Sequence, residues 1–170
     1  MKKWLTAGAC AVLLSMSACG PDEAASLPPP REPDSSSVAY FCHMSLPEHE
    51  GPKAQLFLRG QADPVWFASI SEAFMFLATE LAQPHDLLAV YVNDMAQGSW
   101  EKPAPGAWID IEGAFYVVGS RRTSAMGEKE AVPFADKAAA LTFSQQFGGE
   151  VVDFETAKAA LTAEIAGGDS

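Results

Sequence analysis

The chain has 170 residues, 48% of them hydrophobic, and a formal net charge of −11 from 22 acidic and 11 basic residues. This length allows one ordinary domain, or two very small ones packed together. The acidic excess argues against binding to nucleic acids and to anionic lipid surfaces, because both carry negative charge. It is compatible with a cation or a basic protein as partner.

The N-terminus has the pattern of an export signal. Lys2 and Lys3 precede an apolar run from Trp4 to Met16, and small residues lead to Cys19. This order is typical of a signal peptide, and the run is too short to cross a bilayer. The segment before Cys19 resembles a bacterial lipobox. We therefore predict a signal peptide over 1–18, lipidation of Cys19 and a periplasmic location at the inner or outer membrane; ordinary secretory cleavage nearby is the alternative.

Residues 19–37 are predicted to form a lipid-anchored, flexible tether. They are rich in Pro, Ser, Ala and charged residues, with Pro28-Pro29-Pro30 in the middle. Such a composition cannot bury a core, and its proline run makes it semi-rigid. The tether leads into a domain that we place at 38–166.

The first half of that domain contains strand patterns at 38–41, 54–58 and 64–67. A helix then begins at Ser69, which with Glu72 three residues later forms a capping box. Apolar residues recur at helical spacing until the helix stops before Pro84. A buried-type strand at 87–92 completes this half.

The second half contains similar elements in the same order. Strand patterns occur at 107–110, 114–118 and 132–136, and Asp136 caps a helix that ends at Gly148-Gly149. A strand at 150–154 and a last helix at about 155–165 follow.

The two halves also match residue by residue at one constant offset. Val65, Phe67, Ala68, Ala73 and Phe76 correspond to Val132, Phe134, Ala135, Ala140 and Phe143. Self-similarity of this kind is evidence about the fold. We predict an α+β protein of two side-by-side ββαβ-like units, at about 38–97 and 98–166, plus a C-terminal helix. Neither unit is large enough to be stable alone, so they should share a core.

Cys42 is the only cysteine expected to keep a free thiol, because Cys10 leaves with the signal and Cys19 is lipidated. An unpaired thiol in an oxidising compartment is either a buried hydrophobic residue or a functional group. It lies in Cys42-His43-Met44, where a thiolate and a thioether form a soft donor pair that suits Cu(I). If the strand continues through them, both point to the same face.

Other soft or borderline donors lie outside the helices. Met95 leaves the strand at 87–92, and Met126 precedes Gly127; either could instead anchor its loop to the core. His49 is a nitrogen donor or a turn-capping residue, and His43 would join only if the backbone turns there. We predict a Cu(I) site of Cys42, Met44 and Met95, with Met126, His49 and His43 as further candidates.

Other chemistries find little support in the sequence. There is no CxxC motif for dithiol exchange, no glycine-rich phosphate loop, and too few thiols and histidines for a four-ligand zinc site. A nucleophilic pair of Cys42 with His49 or His85 would need an oxyanion site that nothing indicates. His85 follows Pro84 and has the character of a structural residue. We therefore predict no enzymatic activity.

The chain resembles the NosL family, the exported lipoproteins that accompany nitrous oxide reductase. The matching motifs are Phe41-Cys42-His43-Met44, His49 to Gln55, Tyr91 to Met95, Gly106 to Asp110, and Met126-Gly127 through Val132-Pro133-Phe134 to Gly149. Many members carry Gly where this chain has His43.

This resemblance implies the paired ββαβ fold and a Cu(I) chaperone for assembly of the reductase's copper-sulfide centre. It implies partners in the membrane export and assembly machinery for that centre, with the reductase itself as a further candidate partner. The residues leave open whether two copies form a homodimer by sharing one copper ion. The alternative is a lipid-anchored protein-interaction module in which Cys42 is merely buried and has no metal role.

Overall fold

The structure is a computed structural model that describes residues 27–79 and 86–167, the last four by their backbone alone. The predicted signal peptide, the lipidated Cys19 and His85 lie outside the described residues. Among the described helices, none combines the length and the apolarity that a bilayer span requires.

The first unit contains β1 (Ala54–Leu58), β2 (Val65–Phe67), α1 (Ile70–Ala78) and β3 (Leu87–Asn93). A short strand, β4 (Trp108–Asp110), extends its sheet, whose order is β2-β1-β3-β4 with antiparallel neighbours.

The second unit repeats this arrangement. It contains β5 (Phe115–Val118), β6 (Val132–Phe134), α2 (Lys137–Phe147) and β7 (Glu150–Val152). Its antiparallel sheet has the order β6-β5-β7, and α3 (Phe154–Gly167) follows. In both units the first strand lies between the second and the last. The predicted α+β fold of two ββαβ units is confirmed, but the strand at 107–110, which we assigned to the second unit, pairs with β3 and so belongs to the first sheet.

Both repeated helices begin at the predicted caps. The Ser69 hydroxyl accepts a hydrogen bond from the N–H of Glu72 at 3.1 Å, and the Asp136 carboxylate accepts one from Ala138 at 3.1 Å. The Glu72 side chain departs from the capping-box pattern, because it binds the N–H of Ala68, one residue before the cap, at 2.9 Å. It still satisfies a backbone donor at the helix entrance.

The two units share one hydrophobic core, as predicted. The buried Phe74 ring of α1 lies 5.4 Å from Tyr116 of β5 and 5.7 Å from Phe154 of α3, between ring centroids. Aromatic pairs at this spacing add to the stabilisation from apolar burial. The core therefore holds the loops of both units in a fixed relation.

Residues 27–37, which we assigned to the tether, contact the first sheet. The Arg31 backbone N–H donates to the Gln55 side-chain carbonyl at 2.8 Å, and the Gln55 amide donates back to the Arg31 carbonyl at 2.9 Å. The Glu32 carboxylate accepts hydrogen bonds from the N–H of Gly106 at 2.7 Å and the Trp108 indole at 2.8 Å. This described part of the predicted tether is thus held on the domain.

Candidate metal site

A tight loop presents Cys42 at the edge of the first sheet. The N–H of Ala39 donates to the carbonyl of Met44 at 3.0 Å, and the N–H of Leu46 donates to Ser37 at 2.9 Å. A further hydrogen bond joins the N–H of Tyr40 to the carbonyl of Trp66 in β2, at 2.8 Å. The segment is therefore fixed in place before any ligand binds.

The predicted strand over 38–41, continued through Cys42 to Met44, is wrong. The backbone makes isolated bridges at Val38 and Ala39 and then turns over residues 40–42. Cys42 and Met44 are consequently not alternate residues of one strand face. The alternation rule fails here because the hydrogen bonds close a hairpin-type loop instead of a sheet ladder.

His43 closes this loop in a left-handed conformation. Its φ is 55°, the only positive φ of a non-glycine residue in the described ranges, and its N–H donates to the Ala39 carbonyl at 2.9 Å. We listed His43 as a candidate ligand on the condition that the backbone turns there, and this condition is met. Its exposed side chain lines a surface groove beside the loop.

Replacing His43 with glycine is expected to raise the free energy of unfolding by about 1 kcal/mol, because glycine adopts a positive φ without a Cβ clash. Urea denaturation measures this gain. The matched control is His43→Ala, which removes the imidazole but keeps the Cβ. Equal stability of the two variants would contradict the assignment of strain to the backbone.

The structure pairs Cys42 with His49. The Cys42 Sγ lies 3.7 Å from His49 Nε2, and His49 Nδ1 lies 2.9 Å from the Ser45 carbonyl oxygen. A carbonyl only accepts hydrogen bonds, so Nδ1 carries the proton and Nε2 turns its lone pair toward the sulfur. A backbone carbonyl that fixes the ring in this way is typical of metal-binding histidines.

The surroundings hold both side chains in place. His49 is buried and follows the 3-10 turn Leu46–Glu48, in which the N–H of His49 donates to the Leu46 carbonyl at 3.2 Å. Leu46 is fully buried, and Cys42 is half-buried against the same small cluster, together with Trp66. The Cys42 side chain is thus supported by apolar packing and stays partly accessible to solvent.

The separation of the two donor atoms suits a shared ion. Metal–sulfur and metal–nitrogen bonds are about 2.3 and 2.0 Å long in zinc sites, so donors 3.7 Å apart can bind one ion without rearrangement. In the described ranges no group of three or more His, Cys, Asp or Glu side chains is placed to hold a metal. A thiolate joined by a thioether such as that of Met44 would favour a soft ion over Zn²⁺ or Ca²⁺.

The methionine candidates occupy three different environments. Met44 follows the Cys42 turn and is 46% exposed, whereas Met126 is 55% exposed in a separate turn. Met95 is partly buried in the cluster of Val117 and Val132 in the second unit, apart from the cluster that holds Cys42. Met44 is therefore the thioether closest in the chain to the Cys42–His49 pair. Participation of Met95 and Met126 stays a prediction.

Buried ionisable side chains at the junction of the units were not predicted from the sequence. One Glu130 carboxyl oxygen accepts hydrogen bonds from the N–H groups of Ile70 at 3.0 Å, Ser71 at 3.3 Å and Ala131 at 3.0 Å, and the other has no partner. Burial raises the pKa of Glu130 to about 8. The only sequence signal is an acid directly before the apolar run Ala131 to Phe134.

Two further buried ionisable groups lie near the site. Lys53 donates from Nζ to the Gly51 carbonyl at 2.6 Å, and burial lowers its pKa to about 8. Burial also raises the pKa of Glu72, and the hydrogen bond from Ala68 only partly offsets this rise.

Fold and site together define a class of protein: a paired-ββαβ domain that presents one half-buried thiol, an oriented imidazole and an exposed thioether on a preformed loop. The chain belongs to the NosL family, whose family model, described as NosL, matches residues 30–162.

The similar proteins carry consistent names. The chain is 41% identical over 144 residues to the copper-binding lipoprotein NosL of Achromobacter cycloclastes, with 84% of this chain and 74% of the relative covered. It is 34% identical over 162 residues to the protein of the same name from Stutzerimonas stutzeri, covering 92% and 82%. The crystal structure of the copper chaperone NosL from Shewanella denitrificans matches with a TM-score of 0.68 and 34% identity, over 75% of this chain and 96% of that one.

Proposed function

We propose that this protein is an exported, lipid-anchored Cu(I) chaperone that supplies copper for assembly of the copper-sulfide centre of nitrous oxide reductase. The observation that carries the proposal is the 3.7 Å approach of Cys42 Sγ to a His49 Nε2 whose lone pair faces the sulfur. Names of the relatives, copper-binding lipoprotein and copper chaperone, support the same cargo.

The donor set agrees with monovalent copper. A thiolate and a thioether are soft, an imidazole is borderline, and Cu(I) is the biological first-row ion that prefers such ligands. Cys42 and His49 form the primary pair in this proposal, and the exposed Met44 completes the site, because it lies on the same loop. Met95 and Met126 remain proposed further ligands.

The partial exposure of the proposed site is compatible with both the binding and the release of copper. Cys42 is partly accessible and Met44 is exposed, so an incoming donor can bind the ion before the outgoing donors leave. Thioethers carry no proton at neutral pH, so protons compete with copper only at Cys42 and His49. The chemistry is ligand exchange, and the proposal assigns the protein no catalytic reaction.

Location and partners follow from the N-terminal sequence and the family. We propose cleavage after residue 18, lipidation of Cys19 and attachment to a membrane in the periplasm. The lipoprotein names of the relatives support the anchor. The copper acceptors in this proposal are the membrane export and assembly machinery for the reductase centre, and the reductase.

Alkylation of Cys42 in the folded, full-length protein tests this function. We expect the thiol to react with iodoacetamide in the copper-free state and to be protected by one equivalent of Cu(I), because the metal binds the thiolate. Zn²⁺ at the same concentration is the matched control and should protect less. A thiol that stays unreactive without metal would favour the interaction module with a structural Cys42; a reactive thiol that Cu(I) fails to protect would contradict copper binding.

A further inference from the structure

The loop that carries Cys42 is surrounded by exposed apolar side chains. We call Val38, Tyr40, Phe41 and Met44 the loop patch; each is between 39% and 49% exposed. Exposed aromatic and methionine side chains clustered around one point are characteristic of protein-binding surfaces. The patch is continuous in the chain with the thiol of the proposed copper site.

The loop patch is rigid before any partner arrives. The Tyr40 ring packs edge-on against Phe41 at 5.0 Å and against the buried Phe76 at 5.1 Å, between ring centroids. Backbone hydrogen bonds hold both ends of the loop. A preorganised surface loses little conformational entropy on binding, so its apolar contacts contribute more fully to affinity.

A groove of about 590 Å³ continues from the loop patch across the edge of the first sheet. Its lining includes the apolar side chains of Val65, Trp66 and Phe76, together with the carboxylates of Asp34 and Asp63. Arg31 neutralises Asp63 through an ion pair at 2.9 Å, but Asp34 is held only by neighbouring serines. Those hydrogen bonds from Ser36 and Ser37 lower the pKa of Asp34, so the carboxylate stays charged.

We propose that the loop patch and this groove form the docking surface for the protein that accepts the copper, and that the acceptor presents an apolar segment flanked by basic side chains. This inference rests on the proposed function. An acceptor's donor atom must come within about 2.3 Å of an ion held by Cys42, so the acceptor has to cover the loop itself. The exposed side chains around the thiol then become the centre of the interface.

The charge of this face favours an acceptor protein with basic side chains over a second copy of the chain or the membrane surface. The chain carries 22 acidic residues against 11 basic ones, and the carboxylates that line the groove add local negative charge. Two copies, or one copy and anionic lipid, would repel each other at this face, whereas a basic protein would be attracted and steered to it.

The test compares copper transfer from the Cu(I)-loaded, full-length protein to two recipients: the small chelator bicinchoninate, and membranes that contain the reductase assembly machinery. Phe41→Ser should slow transfer to the membranes by about tenfold or more, as expected for an aromatic anchor, and change transfer to the chelator by less than about twofold. Leu141→Ser is the matched control, because Leu141 is 47% exposed on α2, outside the loop patch and the groove; both rates should stay unchanged.

Asp34→Asn provides a second arm that leaves the apolar patch intact. It should slow transfer to the membranes and flatten the salt dependence of that rate, because one steering charge is lost. If Phe41→Ser slows copper transfer to the chelator and to the membranes equally, the Phe41 ring serves the metal site and not docking. If it leaves the rate of transfer to the membranes unchanged, the proposed docking role is wrong. Loss of a wild-type dimer or of vesicle binding in Phe41→Ser, by sedimentation, would assign the surface to a second copy or to lipid. Failure to load Cu(I) would instead defeat the proposed function.

Discussion

Cys42→Ser is expected to lower the affinity for Cu(I) by several orders of magnitude and to leave the protein folded. The substitution replaces a soft anionic sulfur with a hard, neutral hydroxyl, while His49 and Met44 remain in place. Because Cys42 is half-buried in a turn, the nearly isosteric change should cost less than about 1 kcal/mol of folding free energy. Competition with a Cu(I) chelator measures the affinity, and urea denaturation measures the stability.

Two companion variants separate the ligands. His49→Ala should weaken Cu(I) binding by at least the roughly 10- to 100-fold that loss of a supporting residue causes at metal sites. Met44→Leu keeps the side-chain volume and removes the thioether, so a smaller loss is expected there than for Cys42→Ser. An affinity that is unchanged in Cys42→Ser would end the proposed function, whatever the companions show.

The regular elements could be predicted because they depend on local patterns. The cap at Ser69, the helical spacing after it and the repeat of Val65–Phe67 at Val132–Phe134 are all encoded within short windows. Two amphipathic units of this size must bury their faces on each other, which gives the shared core. Strand pairing within each unit follows from the same requirement.

The loop at Cys42 could not be predicted in the same way. Val38 to Phe41 is rich in β-prone residues, and His43 gives no warning of a positive φ of the kind that a glycine gives. The loop exists because Leu46 and Ala39 are anchored in a small cluster with Trp66, which is a tertiary effect. Local propensity is overridden by such packing.

The pairing of Cys42 with His49 likewise depends on the three-dimensional path of the chain. Seven positions separate the two residues, and only the 3-10 turn between them brings Nε2 to the sulfur. From the sequence, His49 was a secondary candidate and Met95 a primary one. Met95 packs in the second unit's cluster, whereas His49 lies 3.7 Å from the Cys42 sulfur, and we therefore propose His49 as the partner of Cys42.

The contacts of residues 27–37 show a limit of composition as evidence. Proline-rich, charged segments usually lack a hydrophobic core. Their backbone N–H and C=O groups can nevertheless hold them on a folded domain when one side chain of that domain forms hydrogen bonds with them. Gln55 is fully buried in β1 and exchanges two hydrogen bonds with the Arg31 backbone. One buried amide in the sheet can therefore hold a segment that has no apolar pattern.

Glu130→Leu is expected to be severely destabilising at every pH. It would leave the N–H groups of Ile70, Ser71 and Ala131 without their shared acceptor, at about 1–3 kcal/mol for each buried group left unpaired. Glu130→Gln is the matched variant, since its amide oxygen can accept the same hydrogen bonds without ionising. A loss in Glu130→Leu no larger than that in Glu130→Gln would contradict the role of this acceptor.

The same side chain should give stability an unusual dependence on pH. Glu130 has a folded-state pKa of about 8, above its unfolded value, so the stability that it contributes is complete at low pH and is lost as pH rises toward 8. Lys53 has a folded-state pKa of about 8, below its unfolded value, so its unfavourable contribution is relieved as pH rises above 8. Together these groups place a minimum of the free energy of unfolding near pH 8.

Urea denaturation between about pH 5 and 10 tests this profile, at about 1.4 kcal/mol for each pKa unit of difference between folded and unfolded states. In Glu130→Gln the fall in the free energy of unfolding below pH 8 should become smaller, whereas the rise above pH 8, which comes from Lys53, should remain. An unchanged fall below pH 8 in that variant would assign the titration to another group, such as Glu72, whose pKa burial also raises. The buried acid would then serve only as the hydrogen-bond acceptor that joins the second unit to the entrance of α1.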